Sequence, residues 1–541
     1  MSDLIKEKRL IVFFILMTAG FFFCILGVFS AAFHGDELAE AAAKQSSYKL
    51  TVSRSRGDFY DCTGQKLTGR NEETVAAVAP TIEAAARMNT LTSGEYRTTI
   101  GNALSGGTPF LAKVPAGTGS SLGIDVFSVT DRYAQQQPAS NLIGYLDGRG
   151  NGAAGLEKVF DSVLQQDGLL QVTYSVDAVN RVMDSSDREI TDTRQESETG
   201  VVLTIDRRIQ MIAEEAAQNV IDNGAVVVQE VETGEIKALA SFPALTPDNV
   251  GSQLEAEGSP LVNKALSAYS VGSVFKMVSA AAALESGITP EYGYYCTGSI
   301  SVDGQKFKCF DGTAHGMVTM KEAIAKSCNG YFVSLMQQVD SEDFLNMAKS
   351  LGFGEAFSFA DGFSSDAGVL PSVDSLTNKK ALANFSFGQG ELTATPVQVA
   401  AMTSAIASGG YYRTPSLVKG VMDLSTEEYL YRQATGEKTQ VMSWKTTAQI
   451  KNFMETAVEE GTAASGKPEK ITAAAKTGTA QTGRMTDEGE IVQLWYTGFF
   501  PAESPKYTVT VLRADGTGSS RECGEVFKSI ADQMEAQGFL S

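Results

Sequence analysis

Residues 269–284 read YSVGSVFKMVSAAAAL, a glycine and a serine followed directly by an apolar, alanine-rich run. Such a run predicts a buried helix that begins near Ser273. Ser273 and Lys276 stand three residues apart, so they share one face of the first turn. Free backbone N–H groups and the positive end of the helix dipole favour developing negative charge there. The stretch therefore indicates an activated serine; the plain alternative is an N-cap serine with Lys276 extended into solvent.

Length and composition exclude several classes of function. The chain has 541 residues, enough for two to four domains with large cores. Its formal net charge is −20, which disfavours nucleic-acid binding. His34 and His315 are the two histidines, they lie far apart, and no group of His, Cys and carboxylate residues has metal-ligand spacing. We therefore expect neither a metal nor a cofactor, and a metallohydrolase is disfavoured.

Three cysteines in the second half of the chain admit more than one interpretation. Cys296 and Cys309 flank a predicted hairpin whose turn is Asp303-Gly304. They form a disulfide in an oxidising compartment or remain two free thiols, and the residues leave both open. Cys328 has no histidine near it in sequence, so we expect a small packing residue rather than a nucleophile.

The N-terminal part of the chain predicts a membrane anchor. Residues 10–33 form an uncharged run of 24 residues, which at about 1.5 Å per residue reaches roughly 36 Å and can cross a bilayer. Basic residues at 6–9 precede it and acidic residues at 36–40 follow. This asymmetry predicts a cytoplasmic tail at 1–9 and a catalytic domain on the extracellular or periplasmic face. A cleaved signal peptide is the alternative because Ser-Ala-Ala at 30–32 resembles a cleavage site, but the run exceeds the roughly 7–15 apolar residues of a signal peptide.

Beyond the apolar run the pattern changes near residue 200. Residues 34–199 are mixed and turn-rich, without a catalytic constellation, and are expected to form a mostly β or mixed pedestal. Residues 200–541 predict an α+β domain with five strands in one antiparallel sheet, assembled from both ends of the domain and flanked by helices. The predicted strands of that sheet are 224–231, 236–242, 471–476, 494–500 and 507–513, and the predicted helices include 273–285, 320–327, 340–351, 396–408 and 526–537.

Three short motifs carry residues suited to one reaction. Each alone is weak, because serine, lysine, threonine and glycine are common residues. Their order, their spacing and their assignment to a helix start, a helix end and a strand make the set much more specific. The motifs are Ser-x-x-Lys at 273–276, Ser-Cys-Asn at 327–329 and Lys-Thr-Gly-Thr at 476–479.

The chemistry explains why the first two motifs belong together. Ser273 is a poor nucleophile until a base removes its proton. Lys276 can be that base only as a neutral amine, and burial together with a second cation, Lys476, would lower its pKa. Ser327 can relay a proton between Lys276 and a leaving amine. The amide of Asn329 offers a donor and an acceptor to a substrate amide.

The third motif suits the end of a peptide substrate. Lys476 and the hydroxyls of Thr477 and Thr479 are suited to a terminal carboxylate, and Gly478 lies between them on the same predicted substrate-binding strand. The backbone N–H groups of Ser273 and Thr479 are candidates for an oxyanion hole.

Ser-x-x-Lys and Lys-Thr-Gly are signatures of the serine acyl-transferases that react with penicillin. The whole arrangement resembles the class B penicillin-binding proteins, which are monofunctional D,D-transpeptidases. Further stretches carry the same resemblance along almost the full chain: Arg56-Gly57-x-x-x-Asp61, Gly155-Leu156-Glu157, GQGEL at 388–392 and WYTGFFP at 495–501.

The resemblance implies a pedestal at 34–199, a transpeptidase domain at 200–541 and cross-linking of peptidoglycan stem peptides through a Ser273 acyl-enzyme that β-lactams inhibit. It also implies no cofactor and, as partners, a multi-span glycan-polymerising glycosyltransferase and other wall-assembly proteins. A role in elongation, division or sporulation stays open.

Two alternative functions remain. A D,D-carboxypeptidase or β-lactamase would use water as acceptor, although a long pedestal and a stable anchor argue against a β-lactamase. A non-catalytic wall-assembly scaffold or β-lactam sensor is disfavoured by the complete motif set, and we expect no output domain in the nine residues before the apolar run.

Overall fold

The computed structural model describes residues 2–33, 46–183, 187–195, 197–434, 436–486 and 489–540. The acidic residues at 36–40, expected to flank the membrane span, and His34 lie outside the described residues. The chain forms two compact units. One comprises the described parts of residues 1–55, 72–130 and 167–196, and the other those of 56–71, 131–166 and 197–541.

The first unit begins with the predicted apolar helix. This helix spans Ser2–Phe33. Within it, Lys8–Ala32 has a mean hydropathy of 2.7 over its most apolar window, long and apolar enough to cross a membrane. The helix fits a single-pass anchor.

The rest of the first unit is mixed α and β, as expected for this region. Two three-stranded sheets carry it, with two helices between strands of the second sheet along the chain. The first sheet has the order Ser47–Arg56, Gln165–Ser175, Arg188–Asp192, and the second the order Phe110–Lys113, Asn71–Val78, Ile124–Asp131; the helices are Ile82–Leu91 and Gly94–Gly106.

The second unit is organised around the predicted five-stranded antiparallel sheet, which the structure confirms. In chain order its strands are β1 (Gly224–Glu230), β2 (Ile236–Phe242), β3 (Ala474–Thr486), β4 (Gly489–Phe500) and β5 (Tyr507–Gly516). Their order across the sheet is β2-β1-β5-β4-β3. Because β1 pairs with β5, the sheet joins the two ends of the domain and leaves β3 at one edge.

The interior strand β1 is apolar at consecutive positions because both of its faces are covered. Val226 and Val228 belong to an apolar cluster with Phe527 of the C-terminal helix. Val227 belongs to a different cluster, with Val397 of the Pro396–Ala407 helix. Strictly alternating side chains thus serve two cores.

Local capping chemistry sets several helix starts. Asp206 accepts hydrogen bonds from the backbone N–H groups of residues 208 and 209. Thr395 and Gln398 form a reciprocal capping box around Pro396 at the first helical position.

The helices of the second unit are Ser140–Ile143, Gly155–Val159, Asp161–Leu164, Arg207–Ala217, Lys276–Glu285, Met320–Ala325, Asn329–Met336, Ser341–Ser350, Val373–Leu376, Lys379–Phe385, Pro396–Ala407, Trp444–Glu460 and Arg521–Ala536, with 3-10 turns at Pro247–Asn249, Gly251–Gln253, Gly272–Phe275, Phe310–Gly312 and Ala464–Gly466.

Smaller sheets complete the second unit. A four-stranded sheet has the order Phe59–Tyr60, Thr199–Leu203, Val418–Asp423, Glu428–Arg432. The hairpin predicted around Asp303-Gly304 is present, with both turn residues at positive φ. The strand pairs are Tyr269–Ser270 with Thr393–Ala394, Tyr294–Cys296 with Gly316–Val318, Ser299–Val302 with Gln305–Lys308, Ser358–Ala360 with Phe363–Ser364, and Tyr411–Arg413 with Lys438–Gln440.

Two of the family-like stretches meet in a buried ionic network of the second unit. The carboxylate of Glu157 is fully buried and accepts from Arg56 at 2.7 Å and from Arg132 at 2.7 Å. Arg132 also contacts Asp58 at 2.8 Å. Residues 56–71 and 131–166, which the expected boundary at residue 199 assigns to the pedestal, therefore pack within this unit.

This network predicts a large loss of stability when its central carboxylate is removed. Glu157→Ala removes the buried carboxylate that both arginines share and leaves each with one partner, Arg56 with Asp161 and Arg132 with Asp58, so we expect the free energy of unfolding to fall by at least about 2 kcal/mol. Denaturant unfolding of the purified full chain measures the change. Glu459→Ala is the control, because Glu459 pairs with Lys467 at a site where both side chains are about half exposed; its effect should stay within about 1 kcal/mol. Equal effects of the two substitutions would contradict the importance of the network.

Candidate active site

Ser273 lies where the predicted helix begins. The first turn, Gly272–Phe275, is a 3-10 turn, and the α-helix continues over Lys276–Glu285. The helix is held in the core by Phe275, whose ring centroid lies 4.9 Å from that of Phe385. Ser273 itself is half-buried, and its hydroxyl makes no hydrogen bond with a described residue. The nucleophile candidate is thus accessible on a rigid base.

The segment before Ser273 is fixed by close backbone contacts. Gly272 has φ +63°, and its N–H donates to the carbonyl of Gly388 at 2.8 Å. A Cβ on Gly272 would lie 2.7 Å from the carbonyl oxygen of Thr479, and one on Gly388 would lie 2.0 Å from that of Gly272. Only glycine fits at either place. Gly388, in the family-like stretch at 388–392, therefore packs directly against the segment that carries Ser273.

Side chains of β4 also hold this segment, which sequence reasoning missed. The indole N–H of Trp495 donates to the carbonyl of Ser270 at 2.9 Å, and Gln493 accepts from the Ser270 N–H at 2.6 Å. Trp495 stands in a stretch that carries the family resemblance, but no local signal marks Gln493.

Lys276 is fully buried and its amine has three partners. It donates to the carbonyl of Ser327 at 2.7 Å, to the Ser327 hydroxyl at 3.1 Å and to the Asn329 side-chain oxygen at 2.6 Å. Burial lowers the pKa of Lys276 to about 7. An amine with this pKa exchanges its proton near neutral pH, as a general base requires.

Lys476 reaches the same hydroxyl from β3. It donates to Ser327 at 3.0 Å and to the carbonyl of Thr477 at 2.8 Å. Its side chain is fully buried, and burial together with the charge of Lys276 lowers the pKa of Lys476 well below its usual value. From the sequence we expected the charge of Lys476 to lower the pKa of Lys276; instead burial lowers the pKa of Lys276, and the charge of Lys276 acts on Lys476. Repulsion between the two amines disfavours two full positive charges on the pair.

Ser327 occupies an unusual backbone position. It follows the Met320–Ala325 helix with φ +54°. Its N–H bonds to the carbonyl of Ile324 and that of Cys328 to the carbonyl of Ala323, the pattern of a Schellman motif. Glycine is usual at this position, and a side chain there costs roughly 1–2 kcal/mol. The strained serine presents its hydroxyl to both lysines.

Asn329 begins the next helix, Asn329–Met336. Its side-chain oxygen accepts from Lys276, and its amide nitrogen donates to the carbonyl of Lys308 at 2.8 Å. An amide has two N–H bonds and two lone pairs. One of each therefore remains for a further partner after Lys276 and Lys308 are satisfied.

The predicted substrate-binding residues line the edge strand β3. Thr477 and Thr479 are half-buried, and the Thr477 hydroxyl lies 2.8 Å from that of Thr462. A Cβ on Gly478 would lie 3.0 Å from a methyl group of Val274. β3 thus runs directly against the segment that carries Ser273, and Thr479 lies next to that segment. Thr462 is a neighbour that the sequence did not indicate.

The structure therefore brings together all eight residues that the sequence selected, from three separate elements. A buried pair of amines with lowered pKa, a shared hydroxyl and an accessible serine at a helix start can activate that serine and carry its proton.

Comparison with known proteins agrees with this geometry. A sequence profile described as the penicillin binding protein transpeptidase domain matches residues 224–532, more than half of the chain. The stage V sporulation protein D of Bacillus subtilis is 29% identical over 408 residues, which cover 73% of this chain and 61% of that protein. The peptidoglycan D,D-transpeptidase PbpA of Mycolicibacterium smegmatis is 31% identical over 337 residues, which cover 58% of this chain and 67% of PbpA. The match to the Bacillus protein thus spans less than two thirds of its length.

The fold is shared with solved structures. The penicillin-binding protein PBP2 of Helicobacter pylori, in a complex with MreC, superposes with a TM-score of 0.66 at 22% identity, over 91% of this chain and 99% of the other. The resemblance to class B penicillin-binding proteins is confirmed, and the chain belongs to the family defined by the penicillin-binding protein transpeptidase domain.

Proposed function

We propose that this chain is a membrane-anchored peptidoglycan D,D-transpeptidase that cross-links stem peptides through an acyl-enzyme on Ser273. One observation carries the proposal. The fully buried amines of Lys276 and Lys476 share the hydroxyl of Ser327, and Lys276 stands one helical turn after the accessible Ser273. The relative that bears the name peptidoglycan D,D-transpeptidase supports the choice of substrate.

In the first step the Ser273 oxygen attacks the carbonyl carbon of the penultimate D-alanine, and the hydroxyl proton passes to the neutral amine of Lys276. The lowered pKa of Lys276 supplies the neutral amine. The backbone N–H groups of Ser273 and Thr479 are assigned to the oxyanion, at the place where the segment touches β3.

In the second step the C–N bond to the terminal D-alanine breaks, and the leaving nitrogen takes a proton from Ser327. A hydroxyl has two lone pairs and one proton. Both lone pairs of Ser327 accept from lysines, so its proton points away from them. Lys276 then returns the proton it took. A stem amine attacks the ester in the reverse sequence and forms the cross-link.

The remaining roles follow from charge and position. Lys476, Thr477 and Thr479 are assigned to the terminal carboxylate, with Gly478 keeping β3 close to the Ser273 segment. Asn329 holds Lys276 and offers its remaining N–H and lone pair to the substrate amide. β-Lactams would acylate the same serine.

We assign residues 1–9 to a cytoplasmic tail, 10–33 to the membrane span, 34–199 to a pedestal and 200–541 to the transpeptidase domain on the outer face. Basic residues before the span support this orientation. Residues 56–71 and 131–166 of the assigned pedestal belong to the second compact unit. As partners we propose a multi-span glycosyltransferase and other wall-assembly proteins; the Helicobacter pylori PBP2 complex with MreC is a precedent for the wall-assembly proteins alone.

The proposal predicts that Ser273 forms the acyl-enzyme. The purified full chain, given a pentapeptide donor and an acceptor amine, should form a cross-linked dimer and should be labelled by a fluorescent penicillin. Ser273→Ala should abolish both, because no other hydroxyl stands one turn before Lys276.

Ser270→Ala is the matched control. The protein uses the backbone of Ser270 rather than its hydroxyl in the contacts with β4, so this variant should keep the label and the dimer. Label retained in Ser273→Ala would refute the nucleophile assignment. Free tetrapeptide without dimer would favour a hydrolase.

The lowered pKa of Lys276 predicts a definite pH profile. A base must be neutral to accept a proton, so the acylation rate should rise with pH and level off above about 7. Below that point it should fall about tenfold per pH unit. Stopped-flow acylation by a chromogenic cephalosporin between pH 5 and 9 measures the profile. Lys276→Gln should be about 10²–10⁴-fold slower, and a flat wild-type profile would remove Lys276 as the base.

The strain at Ser327 allows chemistry to be separated from stability. Ser327→Gly removes the hydroxyl but relieves the positive φ, so we expect stability within about 1 kcal/mol of wild type. Ser327→Ala removes the hydroxyl and keeps the strain, so it should be the less stable of the two. Acylation should fall at least about 10²-fold in both. Near-normal acylation of a folded Ser327→Gly protein would exclude the proton relay.

A further inference from the structure

Four potential metal ligands meet beside the Ser327–Asn329 turn. They are Cys296, Cys309, His315 and Cys328, whose ligand atoms all lie within 4.8 Å of one another. The three cysteines are buried and the histidine is half-buried. The transpeptidase chemistry proposed for this chain uses none of these side chains.

Three of the six distances between the ligand atoms match those of a tetrahedral site. Zinc–sulfur bonds of about 2.3 Å and a zinc–nitrogen bond of about 2.0 Å place sulfur atoms about 3.8 Å apart and sulfur and nitrogen about 3.5 Å apart. The Sγ atom of Cys309 lies 3.6 Å from that of Cys296 and 3.9 Å from that of Cys328. The Sγ atom of Cys296 lies 3.5 Å from Nδ1 of His315. A disulfide would need sulfur atoms about 2.05 Å apart.

The fold supplies these ligands from four elements. Cys296 ends one strand and pairs with Gly316, directly after His315. Cys309 follows the Gln305–Lys308 strand, and Cys328 caps the Asn329–Met336 helix. The N–H of Gly298 donates to the Cys296 sulfur at 3.4 Å, and its carbonyl accepts from the Cys309 N–H at 2.9 Å. Backbone donors to ligand sulfur are the contacts that orient a metal ligand.

We propose that these four side chains bind one zinc ion. Thiolate and imidazole ligands in a tetrahedral set select zinc among the common divalent cations. Four protein ligands close the coordination sphere, so the ion is structural. We expected no metal from the sequence because no group of His, Cys and carboxylate residues has metal-ligand spacing; the fold nevertheless brings these four ligands together.

The position of the site gives the ion a specific task. Cys328 stands between Ser327 and Asn329, both of which bond to Lys276. Asn329 also bonds to the carbonyl of Lys308, directly before Cys309. An ion bound to Cys309 and Cys328 would therefore fix the turn that presents the two residues to Lys276. The four-ligand site itself does not depend on the proposed activity.

Metal content of the full chain, purified in detergent without chelator, tests the proposal. Plasma mass spectrometry should find about one zinc per wild-type chain. His315→Ala and Cys309→Ser should each retain less than about a tenth of this. Cys523→Ser is the matched control, because Cys523 is equally buried but stands outside the cluster; it should keep its zinc.

A second measurement uses wild-type protein and therefore does not depend on whether a variant folds. Wild-type protein exchanged with cobalt(II) should show the intense visible bands of a tetrahedral site and sulfur-to-cobalt charge transfer. Three results would overturn the proposal: wild type with almost no zinc and an octahedral cobalt spectrum, zinc retained in both ligand variants, or a Cys296–Cys309 disulfide in the freshly purified chain.

Discussion

Two lysine amines buried around one hydroxyl are the interaction on which the site depends. Taking a charge out of water costs several kcal/mol even after relaxation, and a second like charge adds repulsion. Lys276 and Lys476 are both fully buried and both donate to Ser327. The surrounding fold must supply this free energy, and the large apolar clusters around the helix of Lys276 are its source. The functional consequence of this burial is that the pKa of the Lys276 amine lies near neutrality.

The same constraint explains why the sheet is built from both ends of its domain. Lys276 comes from the Lys276–Glu285 helix, and Lys476 comes from the edge strand β3, 200 residues later in the chain. Pairing of β1 with β5 closes the sheet and leaves β3 as its edge. An edge strand keeps one side unpaired by the sheet, so a further backbone can approach it, and β3 meets Gly272 and Val274 there. The topology and the chemistry are therefore linked at β3.

Much of the fold could be predicted because its determinants are local. The capping residues Asp206 and Thr395, the turn at Asp303-Gly304 and the apolar strands around Val227 each act within a few residues. The β3–β4 hairpin was predicted too short, since its outer part beyond Thr479 is polar and is held by backbone pairing, which leaves no apolar pattern.

The catalytic motifs of the candidate site could be predicted from the sequence, but the contacts that hold the Ser273 segment in place could not. The backbone bond between Gly272 and Gly388, and the contact of Gln493 with Ser270, join residues far apart in sequence. Such contacts leave no periodicity or spacing by which a single sequence could reveal them. The same holds for Cys309 and Cys328, whose proximity arises only when the hairpin packs against the turn.

At Ser327 the residue preferred for helix termination differs from the residue that the proposed chemistry requires. Every rule of helix termination favours glycine where the φ angle is +54°, and the two Schellman hydrogen bonds form there without help from a side chain. A side chain at that position gives nothing to the helix, and its Cβ costs stability. Among the described residues, however, the Ser327 hydroxyl is the oxygen that accepts from Lys276 and Lys476 together. A residue that violates local preference while satisfying two buried amines is therefore best explained by the chemistry it permits.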